Sequence, residues 1–277
     1  MSEIHTFRHN AMATHYEVRI AEQERTYAAQ AAQAAFDLLD QLESQLSRFR
    51  KSSMISQIAL LAPGEQMRLP ERVFDCLTIA KKMELATHGA FSISAAALKT
   101  QPAMPQWSLL VRESSIRCES GKLEFDLGAV GKGFALDRMA ELLRDWECNA
   151  FLLVAGGSSI LAGAPPADRM GWSCGLGEDN APQRLLLESV SLSGSGLAVK
   201  GSHIFDPRSG QSAQRQSRAW ALADTAAESD ALSTACMVLT QDEIKAVVEQ
   251  ESSWLVFLED GLLDRPLGCR ALPVRET

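Results

Sequence analysis

Three short segments carry side chains that could do chemistry. In Ser229-Asp230-Ala-Leu-Ser-Thr234 a carboxylate and a hydroxyl fall at i and i+4, so a helix presents both oxygens on one face. Hard divalent cations take such ligands, and Mg2+ typically needs only one or two protein groups beside substrate phosphates. The same residues equally suit an Asp that stabilises a helix N-terminus and a Thr bonded back to its own chain. In His203-Ile-Phe-Asp206-Pro-Arg208-Ser-Gly210 an ionisable His, an Asp and an Arg crowd into eight positions. That cluster reads as an acid/base or ligand-positioning site, or as a turn held by Asp206 and Arg208 beside a surface His. The run Gly128-Ala-Val-Gly131-Lys132-Gly133 stands between a strand pattern and a helix pattern, where backbone N–H groups can hold phosphate oxygens. It matches neither familiar phosphate fingerprint: G-x-G-x-x-G would need glycine at Leu136, and a P-loop would need Ser or Thr where Gly133 stands. A purely structural turn is the other reading. Ser193-Gly194-Ser195-Gly196 lacks the G-x-S-x-G elbow, which argues against a Ser/His/Asp hydrolase.

These segments need elements to position them. The Ala-rich stretch from about Glu24 to Arg50 repeats Phe36, Leu39, Leu42, Leu46 and Phe49 at three- or four-residue spacing, one apolar stripe of a long helix. His15 to Ile20 alternates like a strand before it. A second helix is expected from Pro70 through Val73, Phe74, Leu77, Ala80 and Met83 to a stop at Gly89, followed by an irregular stretch to about Arg117. Leu123 to Leu127 reads as a strand and Phe134 to Trp146 as an amphipathic helix. Further strands are expected at Phe151–Val154, Leu185–Leu192, Ala219–Ala223 and Trp254–Leu258, with helices at Glu228–Leu239 and Asp242–Gln250. Strands and helices mix without strict β-α-β alternation, so the fold class is α+β. No Pro/Ser-rich linker or charge run cuts the chain, so residues 1–277 are expected to form one bilobed unit.

Composition narrows the function classes. The 277 residues are 46% hydrophobic and 22% charged, a balance that excludes disorder, collagen and coiled coil. Lys and Arg number 27 against 35 Asp and Glu, a net charge of −8, so no basic surface is on offer to a nucleic acid. No stretch approaches the roughly 20 apolar residues of a membrane span, and the start MSEIHTFRHN has neither an apolar h-region nor a lipidation cysteine. The expectation is a cytoplasmic protein with no membrane anchor. Its six cysteines lie far apart with no C-x-x-C pair, which suggests buried thiols.

Taken in order, the motifs carry a resemblance. They run from Met12-Ala-Thr14 through Leu46-Ser-Arg-Phe49, Gly89-Ala-Phe91, Phe125-Asp-Leu-Gly-Ala-Val-Gly-Lys-Gly133, Gly156-Gly157, Ser193-Gly194 and His203–Gly210 to Ser229–Thr234. With that order and spacing the chain resembles the ApbE family of FAD:protein FMN transferases. The resemblance implies a T-fold-related α+β architecture of mixed sheets and packed helices, with FAD in a cleft and Mg2+ on its pyrophosphate. It implies transfer of FMN to a Thr or Ser hydroxyl of a client flavoprotein, with release of AMP. Carried over residue by residue, the family's metal ligands fall on the Ala129 carbonyl, Asp230 and Thr234. Flavin contacts fall on Met12, Phe49, Ala90, Phe91, Ser92, Asp126, Lys132 and the edge formed by His203 and Ile204. His203, near neutral in its ordinary pKa, is the candidate base beside the metal ligand Asp230. The chain also departs from the family pattern: Phe91-Ser-Ile-Ser94 replaces F-D-P-T, Ala13 replaces Gly, Phe49 replaces Tyr and Ala59 replaces Asn. Two other functions fit the same residues, a Mg2+-dependent FAD pyrophosphatase and a non-catalytic FAD-binding homologue.

Overall fold

The computed structural model describes residues 2–176, 183–196, 205–211 and 215–259. Its centre is a seven-stranded sheet of β1 (Ile4–Ala11), β2 (Thr14–Ala21), β6 (Phe151–Ala155), β7 (Ser159–Ala162), β10 (Val190–Gly196), β11 (Arg218–Ala223) and β12 (Leu255–Leu258), in that spatial order. Every neighbouring pair is antiparallel. Both faces are covered, so the strand period of two sends alternate side chains into different cores. Phe151, Leu153, Leu161 and the alanines Ala219, Ala221 and Ala223 meet the helices on one face. Leu152, Leu192, Leu222 and Leu255 meet the hairpin of β8 (Trp172–Leu176) and β9 (Gln183–Leu187) on the other. This explains why Phe151–Val154 reads as an uninterrupted apolar run.

The helix layer holds α1 (Arg25–Leu46), α2 (Met54–Ile58), α3 (Glu71–Ala86), α4 (Val130–Asp145), α5 (Ala226–Cys236) and α6 (Gln241–Val248). In α1 the residues Phe36, Leu39, Leu42 and Leu46 are buried as the stripe requires. The helix stops at Leu46, however, and Phe49 lies beyond it with 81% of its surface exposed. The apolar spacing outlasts the helix, because Ser47 is already extended.

Other expectations are also corrected. The stretch read as irregular contains β4 (Gln106–Leu110) and β5 (Ser115–Ser120), which pair with β3 (Gln66–Arg68) in a second sheet. Residues 123–127 alternate in and out but belong to no strand; the Asp126 N–H donates to the Ile93 carbonyl at 2.8 Å instead of entering a sheet ladder. Alternation thus reports two-sided burial, not pairing. The single strand expected at 185–192 is two strands, parted at Ser189, whose φ is +47°. Finally, α4 begins at Val130, so only Gly128 and Ala129 form the turn, and Gly131, Lys132 and Gly133 belong to its first helical turn.

Candidate active site

Two helices build the site by capping each other. Asp137 on α4 accepts hydrogen bonds from the Ala226 N–H at 2.7 Å and the Ala227 N–H at 2.9 Å, two donors that α5 cannot satisfy within itself. In return, Asp230 on α5 accepts from the Gly133 N–H of α4 at 2.8 Å. The exchange requires close approach. A Cβ at position 133 would lie 2.1 Å from the Ala226 carbonyl oxygen, so only glycine fits there. Burial pushes the Asp137 carboxyl up to about 7, against the opposing pull of the two backbone N–H groups.

Asp230 is 4% exposed and held from further directions. The Ser159 hydroxyl on β7 donates to its Oδ1 at 2.5 Å, and Lys132 Nζ stands 3.6 Å from its Oδ2. Lys132 Nζ also donates to the Gly128 carbonyl at 3.2 Å, so this ammonium leans across the opening of α4. The Gly133 N–H, one of the first amides of α4, thus points at the Asp230 carboxylate. One turn further along α5, the Thr234 hydroxyl donates to the Asp230 carbonyl at 3.0 Å. Behind these residues α5 rests on hydroxyls of β10: Ser191 and Ser193 lie 2.8 and 2.7 Å from Ser229, and Ser195 lies 3.1 Å from Ser233.

The site opens into two adjoining cavities of about 160 and 300 Å³, which share Asp126 and Gly128. Together they fall within the roughly 300–1,000 Å³ of small-molecule sites. The first is lined by Met12, Phe49, Arg48 and Lys132, the second by Ala90, Phe91, Ser92, Ala129 and Thr234. Met12 is carried inward by the β1–β2 turn, in which both Met12 (φ +50°) and Ala13 (φ +57°) adopt the left-handed conformation that a two-residue hairpin demands. The Tyr16 hydroxyl donates to Met12 Sδ at 3.3 Å and steadies it. Asp126 Oδ1 accepts from the Gly128 N–H at 2.9 Å, shaping the turn that leads into α4.

Nine of the residues selected from the sequence therefore meet around one cleft: Met12, Phe49, Ala90, Phe91, Ser92, Asp126, Ala129, Lys132 and Thr234. Asp230 sits behind the wall, joined to it through Lys132 and Gly133. His203 and Ile204 lie outside the described residues. The neighbouring Asp206 and Arg208 form the turn network: the guanidinium donates to both Asp206 oxygens and to Glu243, and it holds the Asp206 carboxyl below the usual carboxylate range. Ser193, buried against Ser229, belongs to the β10–α5 contact. Among the described residues no group of three or more His, Cys, Asp or Glu side chains could hold a metal ion.

Three participants escaped the sequence reading, one of them Asp137, described above as the cap of α5. Arg48 pairs with Asp126 at 3.1 Å and lays its guanidinium 4.8 Å from the Phe49 ring centroid, and Ser159 anchors Asp230 from across the sheet. Arg48 does sit inside the quoted Leu46–Phe49 motif. Ser159 has no local signal, since its partner is 71 residues away.

An α+β fold whose cleft is framed by the β1–β2 turn, the end of α1 and the opening of α4 defines a protein shaped to hold a small molecule against a polar wall. Residues 12–257 match the sequence profile of the ApbE family, and the chain belongs to that family. Among its curated relatives are two FAD:protein FMN transferases of Klebsiella pneumoniae (strain 342). One is 24% identical over 214 residues, spanning 65% of this chain and 66% of its own length, just under two thirds. The other is 23% identical over 259 residues, spanning 79% and 73%. The solved structure of the flavin transferase ApbE from Vibrio cholerae superposes with a TM-score of 0.81 at 18% identity, covering 93% of this chain and 94% of that one, a likeness of fold. The resemblance read from the motifs and the α+β class are both borne out.

Proposed function

We propose that this protein is a Mg2+-dependent FAD:protein FMN transferase that moves FMN from FAD to a Thr or Ser hydroxyl of a client flavoprotein and releases AMP. The carrying observation is the convergence of Ala129, Thr234, Asp126 and Ala90–Ser92 on one cavity wall, with Lys132 in the adjoining cavity and Asp230 behind it. The relatives named FAD:protein FMN transferase support the same reading.

The residues present fit a magnesium ion. Each Asp230 oxygen accepts one recorded hydrogen bond, from Ser159 or Gly133, and keeps lone-pair capacity. The Ala129 carbonyl, at the N-cap of α4 and lining the cavity, has a second lone pair beyond any helical bond, and Thr234 turns its proton inward and so offers lone pairs outward. Three oxygens, only one of them charged, suit an ion whose remaining positions go to substrate phosphates. When bound, the ion would neutralise charge on the pyrophosphate as its P–O–P bridge breaks. Lys132 then supplies a fixed positive charge near the phosphates. Arg48 stacked on Phe49, and Met12, line the part of the cleft assigned to the flavin. The client hydroxyl attacks the FMN phosphorus and AMP departs; His203 is the proposed acceptor of the hydroxyl proton. We place the reaction in the cytoplasm, a setting supported by Cys76, Cys118, Cys148, Cys174 and Cys236, all free and buried.

The test incubates the purified chain with FAD, Mg2+ and cell extract, then follows AMP and flavin fluorescence on a denaturing gel. AMP with a fluorescent protein band supports transfer. AMP with free FMN would make the protein a pyrophosphatase, and bound FAD without AMP would make it a binding protein. Asp230→Ala is expected to abolish Mg2+-dependent AMP release and Thr234→Ala to do less damage; normal turnover of Asp230→Ala at limiting Mg2+ refutes the metal assignment.

A further inference from the structure

We propose that Ser159 is a positioning residue that fixes the orientation of the Asp230 carboxylate toward its metal, an inference that rests on the magnesium reading above. Ser159 opens β7 in the interior of the seven-stranded sheet, in register with Ala155 on one side and Ser193 on the other, so its backbone is held from both flanks. The strand alternation turns Ser159 and Leu161 toward the helix layer. Leu161 enters the apolar core there, whereas Ser159, with no exposed surface, meets the carboxylate. A buried hydroxyl is costly without a partner, and its short bond to a charged acceptor is of the strong kind.

The recorded hydrogen bonds divide between the two carboxylate oxygens. Oδ2 takes the Gly133 N–H from α4, and Oδ1 takes the Ser159 O–H from β7. The terminal torsion of an Asp side chain is broad, so a carboxylate held at one oxygen can swing about that bond. Held at both oxygens by donors on two different elements, it cannot. Ser159 thus sets which lone pairs face the Ala129 and Thr234 oxygens, without touching substrate or metal itself. Ser191 is the internal contrast: a buried hydroxyl on the neighbouring strand β10, facing the same helix layer, bonded to Ser229 and the Ile160 carbonyl instead of to a carboxylate.

The test uses the full chain with FAD, with Mn2+ as the probe and free Mn2+ read by electron paramagnetic resonance. Loss of a residue that orients a metal ligand typically weakens metal affinity about 10- to 100-fold. Ser159→Ala is therefore expected to need about 10- to 100-fold more Mn2+ for half occupancy, with FAD affinity and KM for FAD unchanged once Mn2+ is saturating. Ser159→Cys, nearly isosteric but a weak donor, shows the same shift without opening a cavity, and Ser159→Thr, which restores the hydroxyl, recovers most of the affinity. Ser191→Ala lowers the unfolding midpoint and leaves Mn2+ affinity alone. Equal Mn2+ affinity in the wild type and the folded Ser159→Cys or Ser159→Ala overturns the positioning role while leaving the magnesium reading intact. No Mn2+ uptake by the wild type with FAD bound would refute that reading and the positioning role with it.

Discussion

Replacing Gly133 by alanine tests the mutual capping of α4 and α5 at its tightest point. The new methyl would sit 2.1 Å from the Ala226 carbonyl oxygen, 2.3 Å from its carbon and 2.6 Å from the Ala227 nitrogen, all backbone atoms that no side-chain rotation can clear. Ordinary contact between such atoms is about 3.5 Å, so the start of α5 must retreat by about 1 Å or more. Overpacking of this kind costs about 1–3 kcal/mol, and the better helix propensity of alanine returns about 1 kcal/mol. The retreat also stretches three hydrogen bonds, Ala226 N–Asp137, Ala227 N–Asp137 and Gly133 N–Asp230, now 2.7, 2.9 and 2.8 Å. Hydrogen bonds are worth about 0.5–1.5 kcal/mol each, more where the acceptor is charged, and partial loss of this set brings the expected destabilisation to about 3 kcal/mol. Activity should fall further than stability, because a misplacement of about 1 Å can cost about 100-fold in rate. Urea unfolding at constant slope, with AMP release measured well below the midpoint, separates the two effects. Gly131→Ala is the control for stability: its methyl would meet only the Leu127 side chain, at 3.3 Å. A Gly133→Ala protein as stable and active as the wild type, or a Gly131→Ala protein equally unstable, would refute this account.

Ala13→Gly should stabilise the chain by about 0.5–1 kcal/mol, because a left-handed non-glycine residue carries about 1–2 kcal/mol of strain that exceeds the entropy glycine adds to the unfolded chain; a lower urea midpoint would contradict the turn geometry. Lys132→Met is expected to raise the Kd for FAD about tenfold, about 1.4 kcal/mol, in a protein that still folds; unchanged affinity would return Lys132 to the role of a counter-charge for Asp230. Asp137 supplies a pH test. Its folded pKa, about 7, lies above the unfolded value of 3.8, so its favourable contribution is complete below about pH 4 and is lost as pH rises toward 7. The stability advantage of the wild type over Asp137→Asn should shrink across that window, and an advantage that grows with pH would overturn the assignment.

How much was legible follows from the range of each interaction. The stripe of α1, the start of α3 after Pro70 and the strand at Phe151 are local patterns, and they fold where their spacing places them. Phe49 and residues 123–127 misled because apolar periodicity records burial by any neighbour, whereas a helix end or a sheet ladder depends on backbone partners. The cleft was legible in its members through the ordered motifs. Its geometry was not, since Asp137 and Ser159 acquire their roles from partners 71 to 90 residues distant. Gly133 shows both sides: its glycine was visible as a turn candidate, and the reason for it, a backbone carbonyl from another helix, was not.

The reciprocal caps also bear on how the chain folds. The bond from Gly133 to Asp230 spans 97 residues, and those from Ala226 and Ala227 to Asp137 span 89 and 90. The N–H groups of Gly133, Ala226 and Ala227 meet these carboxylates only when the two helices have come together, so closure of a long loop precedes any gain from these contacts. Contacts of such long range are expected to form late in folding and to be lost with global opening. The amides of Gly133, Ala226 and Ala227 should then exchange with solvent at the rate of global unfolding, slower than those at the exposed start of α1. A cleft assembled from such pieces has no half-formed state in which α4 offers its glycines while Asp230 is elsewhere, and a partly folded chain would expose no premature binding site.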